Sequence, residues 1–184
     1  MGTMTERHTI QEWLENPDER LELIDGELVP KPLSGMPEGN AKGGISSVLR
    51  PAFHSAAGGW WIGASIDTWL GENGFRPDLA GWRRERLTPP VNGPPVVLRP
   101  DWICAVMGTA HRVGDIIRRL RLFHKAGVPH FWVLDVRAGA LAVFRHEPLG
   151  YLNVLTAERG QLVRAEPFDA IELNVGILLG GDPE

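Results

Sequence analysis

The spacing of apolar residues along the chain predicts two main helices. Apolar residues recur at helical intervals between residues 40 and 57, and Pro51 within this stretch predicts a kink or two shorter helices. A second helix is predicted over residues 112–125 and ends at Gly127. We expect one apolar stripe of this helix to pack against the sheet. It consists of Val113, Ile116, Ile117, Leu120 and Phe123. In addition, the capping-box spacing Thr9-x-x-Glu12 predicts a short helix near the start.

Apolar runs bounded by turn residues predict the strands. Residues 20–29 form a hairpin around Asp25-Gly26, a favoured two-residue turn. The next two strands are expected to pair around a turn at 71–74, and the last two to form an edge hairpin. A charged, proline-rich loop is expected over 83–95, and Trp132 is expected to be buried. The predicted strands after the first hairpin cover residues 60–70, 75–82, 96–106, 130–136, 141–145, 151–156 and 161–165. Residues 96–106 are either a strand pair or one strand bent around Arg99-Pro100.

The order of these elements predicts the fold class. The order is helix, hairpin, helix, strands, helix and strands. This order favours an α/β (α+β) fold, in which helices pack on a mixed sheet. The length of 184 residues suits one domain. Hydrophobic residues are 43% and charged residues 23%, both typical of globular proteins, which excludes intrinsic disorder, collagen and a long coiled coil.

Charge and cysteine content narrow the function classes. The chain has 19 Lys and Arg against 23 Asp and Glu, a net charge of −4, which excludes a globally basic nucleic-acid-binding coat but allows a local basic patch. A single cysteine, Cys104, excludes a disulfide framework and a multi-cysteine zinc site, and it is expected to be inert packing. With no secretory signal and no membrane-spanning run in the sequence, we expect a cytoplasmic protein without membrane contact.

Three acids in or beside predicted strands are candidates for chemistry. Pro77-Asp78 lies inside a predicted strand, where proline indicates an edge or a bulge, so Asp78 is a functional carboxylate or a plain turn residue. Pro100-Asp101 repeats the motif, with Asp101 and Ala105 on one face of the strand. Glu22 lies on the opposite strand face from Leu21 and Leu23 in the first hairpin. It is either a functional acid or part of a solvated strand face.

Charged residues on the second helix and the loop before it add further candidates. Arg112, Asp115 and Arg119 share one flank at positions i, i+3 and i+7, although Asp115 and Arg119 could be a plain surface pair. Two basic groups could contact phosphate or form a solvated face. They are Arg118, Arg121 and Lys125 on the helix and Arg83, Arg84 and Arg86 in the loop.

Five segments in order, covering nearly the whole chain, resemble the Uma-two family of bacterial restriction endonucleases, in the PD-(D/E)XK superfamily. They are LELIDGELV (21–29), RPDLAGWRRERL (76–87), PDWICAV (100–106), HKAGVPHFWVLD (124–135) and VRAEPFDAIEL (163–173). The resemblance implies a single restriction-endonuclease-like domain over residues 5–180, with a mixed central sheet flanked by helices.

The resemblance also implies Mg²⁺-dependent hydrolysis of phosphodiester bonds. Glu22 matches the N-terminal acid of the family and Asp78 its metal-binding aspartate, which makes both predicted metal ligands. Asp115 and Arg119 match an Asp-x-x-x-Lys motif, and Ala105 stands where the family has Glu. Ala105 offers no oxygen to a metal, and Arg119 keeps the charge of lysine but cannot act as a base near neutral pH. Asp101 is about 13 Å along the strand from Ala105, too far to replace that glutamate.

Two functions therefore stay open. The first is a metal-dependent DNA endonuclease with weak or lost catalysis. The second is a non-catalytic relative that binds nucleic acid or another protein. By analogy with type II enzymes a homodimer is expected. We expect Glu22, Asp78, Asp115 and Arg119, the predicted catalytic residues, to converge on one cleft.

Overall fold

Four helices and twelve strands are present in the residues that the computed structural model describes, 7–54, 58–87, 93 and 95–182. The helices are α1 (Ile10–Glu15), α2 (Met36–Phe53), α3 (Val113–Lys125) and α4 (Val175–Leu178). The strands are β1 (Leu21–Ile24), β2 (Glu27–Pro30), β3 (Trp60–Ala64), β4 (Thr68–Leu70), β5 (Asn73–Phe75), β6 (Leu79–Arg83), β7 (Trp102–Met107), β8 (His130–Asp135), β9 (Ala140–Glu147), β10 (Gly150–Glu158), β11 (Leu162–Val163) and β12 (Leu173–Asn174).

A six-stranded mixed sheet forms the centre of the molecule, in the order β10-β9-β8-β7-β6-β3. Strands β7 and β8 are parallel, and the other neighbours are antiparallel. Helix α3 connects β7 to β8, as a parallel pair requires. A four-stranded sheet, β2-β1-β5-β4, and the short pair β11-β12 complete the topology. The predicted mixed sheet flanked by helices is confirmed.

Local sequence signals are confirmed at the helix and hairpin ends. The Thr9 hydroxyl accepts from the Glu12 amide, and the Glu12 carboxylate accepts from the Thr9 amide at 2.7 Å, which completes the capping box. Asp25 and Gly26 both have positive φ, as a tight hairpin turn between β1 and β2 demands. Gly127, also at positive φ, follows the end of α3.

The predicted pairing of residues 60–70 with 75–82 is wrong in its middle part. Strand β3 does pair with β6, but between them the chain leaves the central sheet and forms β4 and β5, which join β1 in the small sheet. Ser65, at positive φ, marks the exit. Gly74 pairs with Leu23, and a Cβ there would lie 2.3 Å from the ring of Trp13. The excursion brings β1, which carries Glu22, toward the central sheet.

Other element boundaries differ from the prediction. Helix α2 begins at Met36, four residues before the predicted start, and is a single helix that ends two residues after Pro51. Strand β7 covers only the second half of the predicted strand at 96–106. The predicted final hairpin is wrong, because β10 pairs with β9 and β11 pairs with β12. Residues 5, 6 and 55–57 and part of the predicted loop at 83–95, namely 88–92 and 94, lie outside the described residues.

Two apolar clusters pack the central sheet. One joins α2 to a tryptophan-rich layer that includes Trp132, which is fully buried as predicted. The other includes Phe123 of α3, which is 1% exposed, with Ile116 and Leu120 partly buried beside it. The predicted stripe on α3 is wrong at two positions. Val113 is 75% exposed as the first residue of the helix, and Ile117 is 54% exposed because it is rotated away from Ile116, Leu120 and Phe123.

Within the described part of the chain, no helix has the length and hydropathy needed to span a membrane.

Candidate functional site

Glu22 is a buried acid on β1, 1% exposed, and does not lie on a solvated strand face. Its Oε2 accepts from Nη2 of Arg119 at 2.5 Å, and its Oε1 accepts from the amide of Arg76 at 3.1 Å. Both carboxylate oxygens therefore have partners within the protein. This contact brings the first hairpin, the segment before β6 and helix α3 to one point.

Asp78 precedes β6 and is 5% exposed. Its Oδ1 lies 2.9 Å from the ammonium nitrogens of both Lys31 and Lys42, and its Oδ2 accepts from the Val106 amide at 2.8 Å. Burial would raise the pKa of Asp78, but attraction to the two lysines and the Val106 hydrogen bond outweigh it, so the pKa lies below its usual value. Asp78 is therefore ionised and held by two cations.

Arg119 reaches into the same region from α3, with its side chain 13% exposed. Burial would lower the pKa of the guanidinium, but Glu22 outweighs this effect and the pKa is raised. Asp78 and Asp115 are also near enough to stabilise its charge. Asp115 itself accepts from the Arg112 amide at 3.0 Å and so caps the helix. The structure thus brings Glu22, Asp78 and Arg119 together, with Asp115 at the helix start beside them.

Ala105 lies beside Asp78 in the sheet. Leu79 pairs with Cys104, and extending this antiparallel register by one residue places Asp78 opposite Ala105. Ala105 is 9% exposed and belongs to the apolar cluster of Ile103 and Phe123. The position expected to carry a second carboxylate therefore carries a methyl group.

Sequence reasoning missed four residues of this site. Lys31 and Lys42 hold Asp78, with side chains 15% and 20% exposed. Glu38, 6% exposed, accepts from the Gly35 amide at 2.9 Å, and it lies so close to Gly108 that a Cβ there would overlap its carboxylate. No local pattern marks these residues, because the predicted helix begins at residue 40, after both Lys31 and Glu38.

His111, the fourth residue, is a half-buried imidazole just before the start of α3. Its Nδ1 accepts from the Gly108 amide at 3.1 Å, so the neutral ring carries its proton on Nε2. Burial is the main cause that lowers its pKa, and Arg119 adds to the effect. The ring is therefore neutral near pH 7 and presents an N–H donor beside the acids.

Two other candidates have structural roles. Asp101, 5% exposed, accepts from the Arg83 amide at 2.8 Å and contacts the guanidinium of Arg86, so its partners differ from those of Asp78. Cys104 is fully buried, and burial raises its thiol pKa well above the usual value, so the thiol stays protonated. Neither residue supplies a ligand or a nucleophile to the site.

The donor set around Asp78 does not fit a divalent ion. Lys31 and Lys42 occupy Oδ1 of Asp78, Arg119 occupies Oε2 of Glu22, and Ala105 adds no oxygen. Mg²⁺ needs oxygen ligands and tolerates the loss of few. In the described part of the chain, no group of three or more His, Cys, Asp or Glu residues is arranged for a metal.

Comparison with known proteins identifies the chain's relatives. A family model named Uma2, described as "Putative restriction endonuclease", matches residues 7–176. The crystal structure of a protein from Anabaena variabilis, described as "a putative nuclease belonging to DUF820", superposes with a TM-score of 0.76 at 19% sequence identity. The alignment covers 93% of this chain and 97% of that chain. At this identity the likeness shows the fold alone. No match is found among curated proteins.

Proposed function

Because the chain belongs to the Uma2 family, described as "Putative restriction endonuclease", we propose that it is a nuclease-fold protein that binds DNA and hydrolyses phosphodiester bonds weakly or not at all. Family membership supports the nuclease-like function, and it confirms the resemblance drawn from the sequence. The weak or lost catalysis is inferred from the residues of this chain.

The contacts of Asp78 carry the proposal. The carboxylate expected beside it is replaced by Ala105, and two lysines and a backbone amide occupy its oxygens. Glu22 is likewise engaged by Arg119. The family implies Mg²⁺ as the metal, and the roles of Glu22 and Asp78 as its ligands stay predictions. Arg119 cannot take a proton from a nucleophilic water near neutral pH, since its pKa is raised further by Glu22.

A non-catalytic role in binding nucleic acid or another protein is the second candidate. The observation that favours nucleic acid is the basic side of α3, where the exposed Arg121 and Lys125 line a cavity together with Arg118. Such an arrangement attracts a phosphate more readily than a divalent cation.

The test is cleavage of supercoiled and linear DNA in Mg²⁺ and in Mn²⁺. We expect little or no cleavage by the wild type and more by Ala105→Glu combined with Arg119→Lys, which restores an oxygen ligand and a cation whose pKa can be lowered. Ala105→Gln with Arg119→Lys is the matched control, since it has the same size without the charge. Robust Mg²⁺-dependent cutting by the wild type, abolished by Asp78→Ala, would overturn the proposed loss of catalysis.

A further inference from the structure

Positive charge is concentrated on helix α3. Residues 112–125 contain five cations, Arg112, Arg118, Arg119, Arg121 and Lys125, and a single acid, Asp115. The whole chain has a net charge of −4, so the rest of the molecule is strongly acidic. This separation gives the helix a local positive potential that the net charge hides.

Three of these cations line one groove. Arg118, Arg121 and Lys125 are spaced at i, i+3 and i+7 and therefore share one side of α3. With His124 they line a cavity of about 330 Å³, and Asp25 is its one acid among the described residues. A neighbouring cavity of about 410 Å³ shares Asp25 and Lys125 with it. The groove thus extends from the side of α3 past the turn of the first hairpin.

The cations of this groove differ in whether they have partners within the protein. Arg121 and Lys125 are exposed and form no ion pair or side-chain hydrogen bond with any described residue. Arg118 instead donates to the Ile24 carbonyl and to Glu27, each at 3.1 Å. Arg121 and Lys125 are therefore available to an anion from outside.

The loop that carries the other basic group is tied into the protein. The guanidinium of Arg83 lies 4.7 Å from the centre of the Trp60 ring, and that of Arg84 lies 3.7 Å from the Trp61 ring. Arg86 pairs with Asp101. These contacts fix the loop arginines in place, so α3 offers the better phosphate contacts.

The Arg118 end of the groove is next in the chain to Arg119, which lies among the acid cluster of Glu22, Asp78 and Asp115. Arg118 and Arg119 are adjacent in the chain, and one contacts Glu27 while the other contacts Glu22 of the same hairpin. From residue 118 to 125 the helix rises about 10 Å at roughly 1.5 Å per residue. A DNA strand advances about 3.4 Å per nucleotide along the duplex axis, so this length corresponds to about three nucleotides.

From these observations we propose that Arg121 and Lys125, aided by Arg118, form a track for the phosphodiester backbone of DNA that leads to Glu22 and Asp78. The inference rests on the proposed function, since it says where the DNA contacts the protein. It does not depend on catalysis, because the residues of the track are separate from the acid cluster.

The test measures binding of a fluorescein-labelled DNA duplex by anisotropy across a series of salt concentrations. We expect Arg121→Gln with Lys125→Gln to lower the slope of log affinity against log salt by about 1.8, at about 0.9 per lost phosphate contact. At 0.1 M salt this corresponds to a loss of affinity on the order of 60-fold. Arg137→Gln with Arg164→Gln is the control, since both arginines are exposed, lie outside the groove lining and remove the same charge.

Each outcome decides a different question. Loss of binding in the groove variant alone, with an unchanged unfolding midpoint, supports the track. If the wild type and the groove variant Arg121→Gln with Lys125→Gln bind equally, the track is overturned. The same holds if the groove variant and the control lose equal affinity. Either result leaves the proposed DNA partner standing. A wild type that binds no duplex at low salt would overturn the DNA partner itself, and the track with it.

Discussion

Arg119 on helix α3 donates to Glu22 on strand β1 at 2.5 Å, across 97 positions of the chain. Glu22 is 1% exposed, and the side chain of Arg119 is 13% exposed, so the ion pair lies inside the molecule. It connects the small sheet to the helix that follows the central strand β7. The resemblance to the family predicts a lysine at this position, so the proposed loss of catalysis and the stability of the fold both involve Arg119.

Replacing Arg119 by Met should destabilise the protein by about 3–5 kcal/mol, because it leaves the Glu22 carboxylate buried without its cation. Urea unfolding of the wild type and the variant measures this loss. The combined variant Glu22→Gln with Arg119→Met should lose clearly less than the sum of the two single changes. Additive losses would mean that the two side chains do not stabilise each other.

Stability should fall in acid through Asp78. The pKa of Asp78 is lower in the folded protein than the usual value of 3.8, so its stabilising effect is full above that value and is lost as the pH falls through the lower folded pKa. The free energy of unfolding, measured from pH 7 to pH 3, should fall more steeply below about pH 4 in the wild type than in Asp78→Asn. Parallel curves for the two proteins would contradict the role given to Lys31 and Lys42.

Two positions on α3 should respond differently to truncation. Phe123→Ala should cost about 3–5 kcal/mol, because Phe123 is 1% exposed between the helix and the sheet. Ile117→Ala, six residues earlier and 54% exposed, should change stability by less than about 0.5 kcal/mol. Chemical unfolding of both variants checks the pair. A large loss at Ile117 would show that this face of α3 is covered in solution.

Short-range signals predicted much of the fold. The capping box at Thr9, the Asp25-Gly26 turn and the end of α3 at Gly127 each depend on a few neighbouring residues, and all are confirmed. Strand partners depend on distant residues. The departure of β4 and β5 toward β1 follows from packing such as that of Gly74 against Trp13, which no local pattern encodes.

The buried face of α3 also could not be predicted fully from the local sequence pattern. At roughly 100° per residue, Ile116, Leu120 and Phe123 fall within about 60° of one another around the helix, whereas Ile117 is rotated about 60–120° away from them. Val113 falls within about 20° of Leu120 but is the first residue of the helix and is exposed there. A buried stripe that includes all five residues would need a wider contact with the sheet than helix α3 makes. The sequence pattern alone does not give the width of the partner surface.

The candidate site, too, was predicted from the sequence only in part. Glu22, Asp78, Asp115 and Arg119 were identified by resemblance, and the structure brings them to one region, with their roles still predictions. The partners of Asp78 could not be foreseen, because Lys31 lies in a loop and Lys42 on a helix that the sequence placed apart from Asp78. Arg119 pairs with Glu22 and does not form the surface pair with Asp115 that the helix spacing allowed. This pairing was missed because the strand pattern did not reveal the burial of Glu22.

The central claim is that this chain lacks the second carboxylate that a divalent ion would need beside Asp78, and thermal unfolding in a series of MgCl₂ and MnCl₂ concentrations tests it most directly. We predict that the wild-type midpoint does not change, whereas Ala105→Glu with Arg119→Lys gains about 3–6 °C at a metal concentration about tenfold above its Kd. Ala105→Gln with Arg119→Lys should behave like the wild type. A metal-dependent rise in the wild-type midpoint that Asp78→Asn removes would contradict the account.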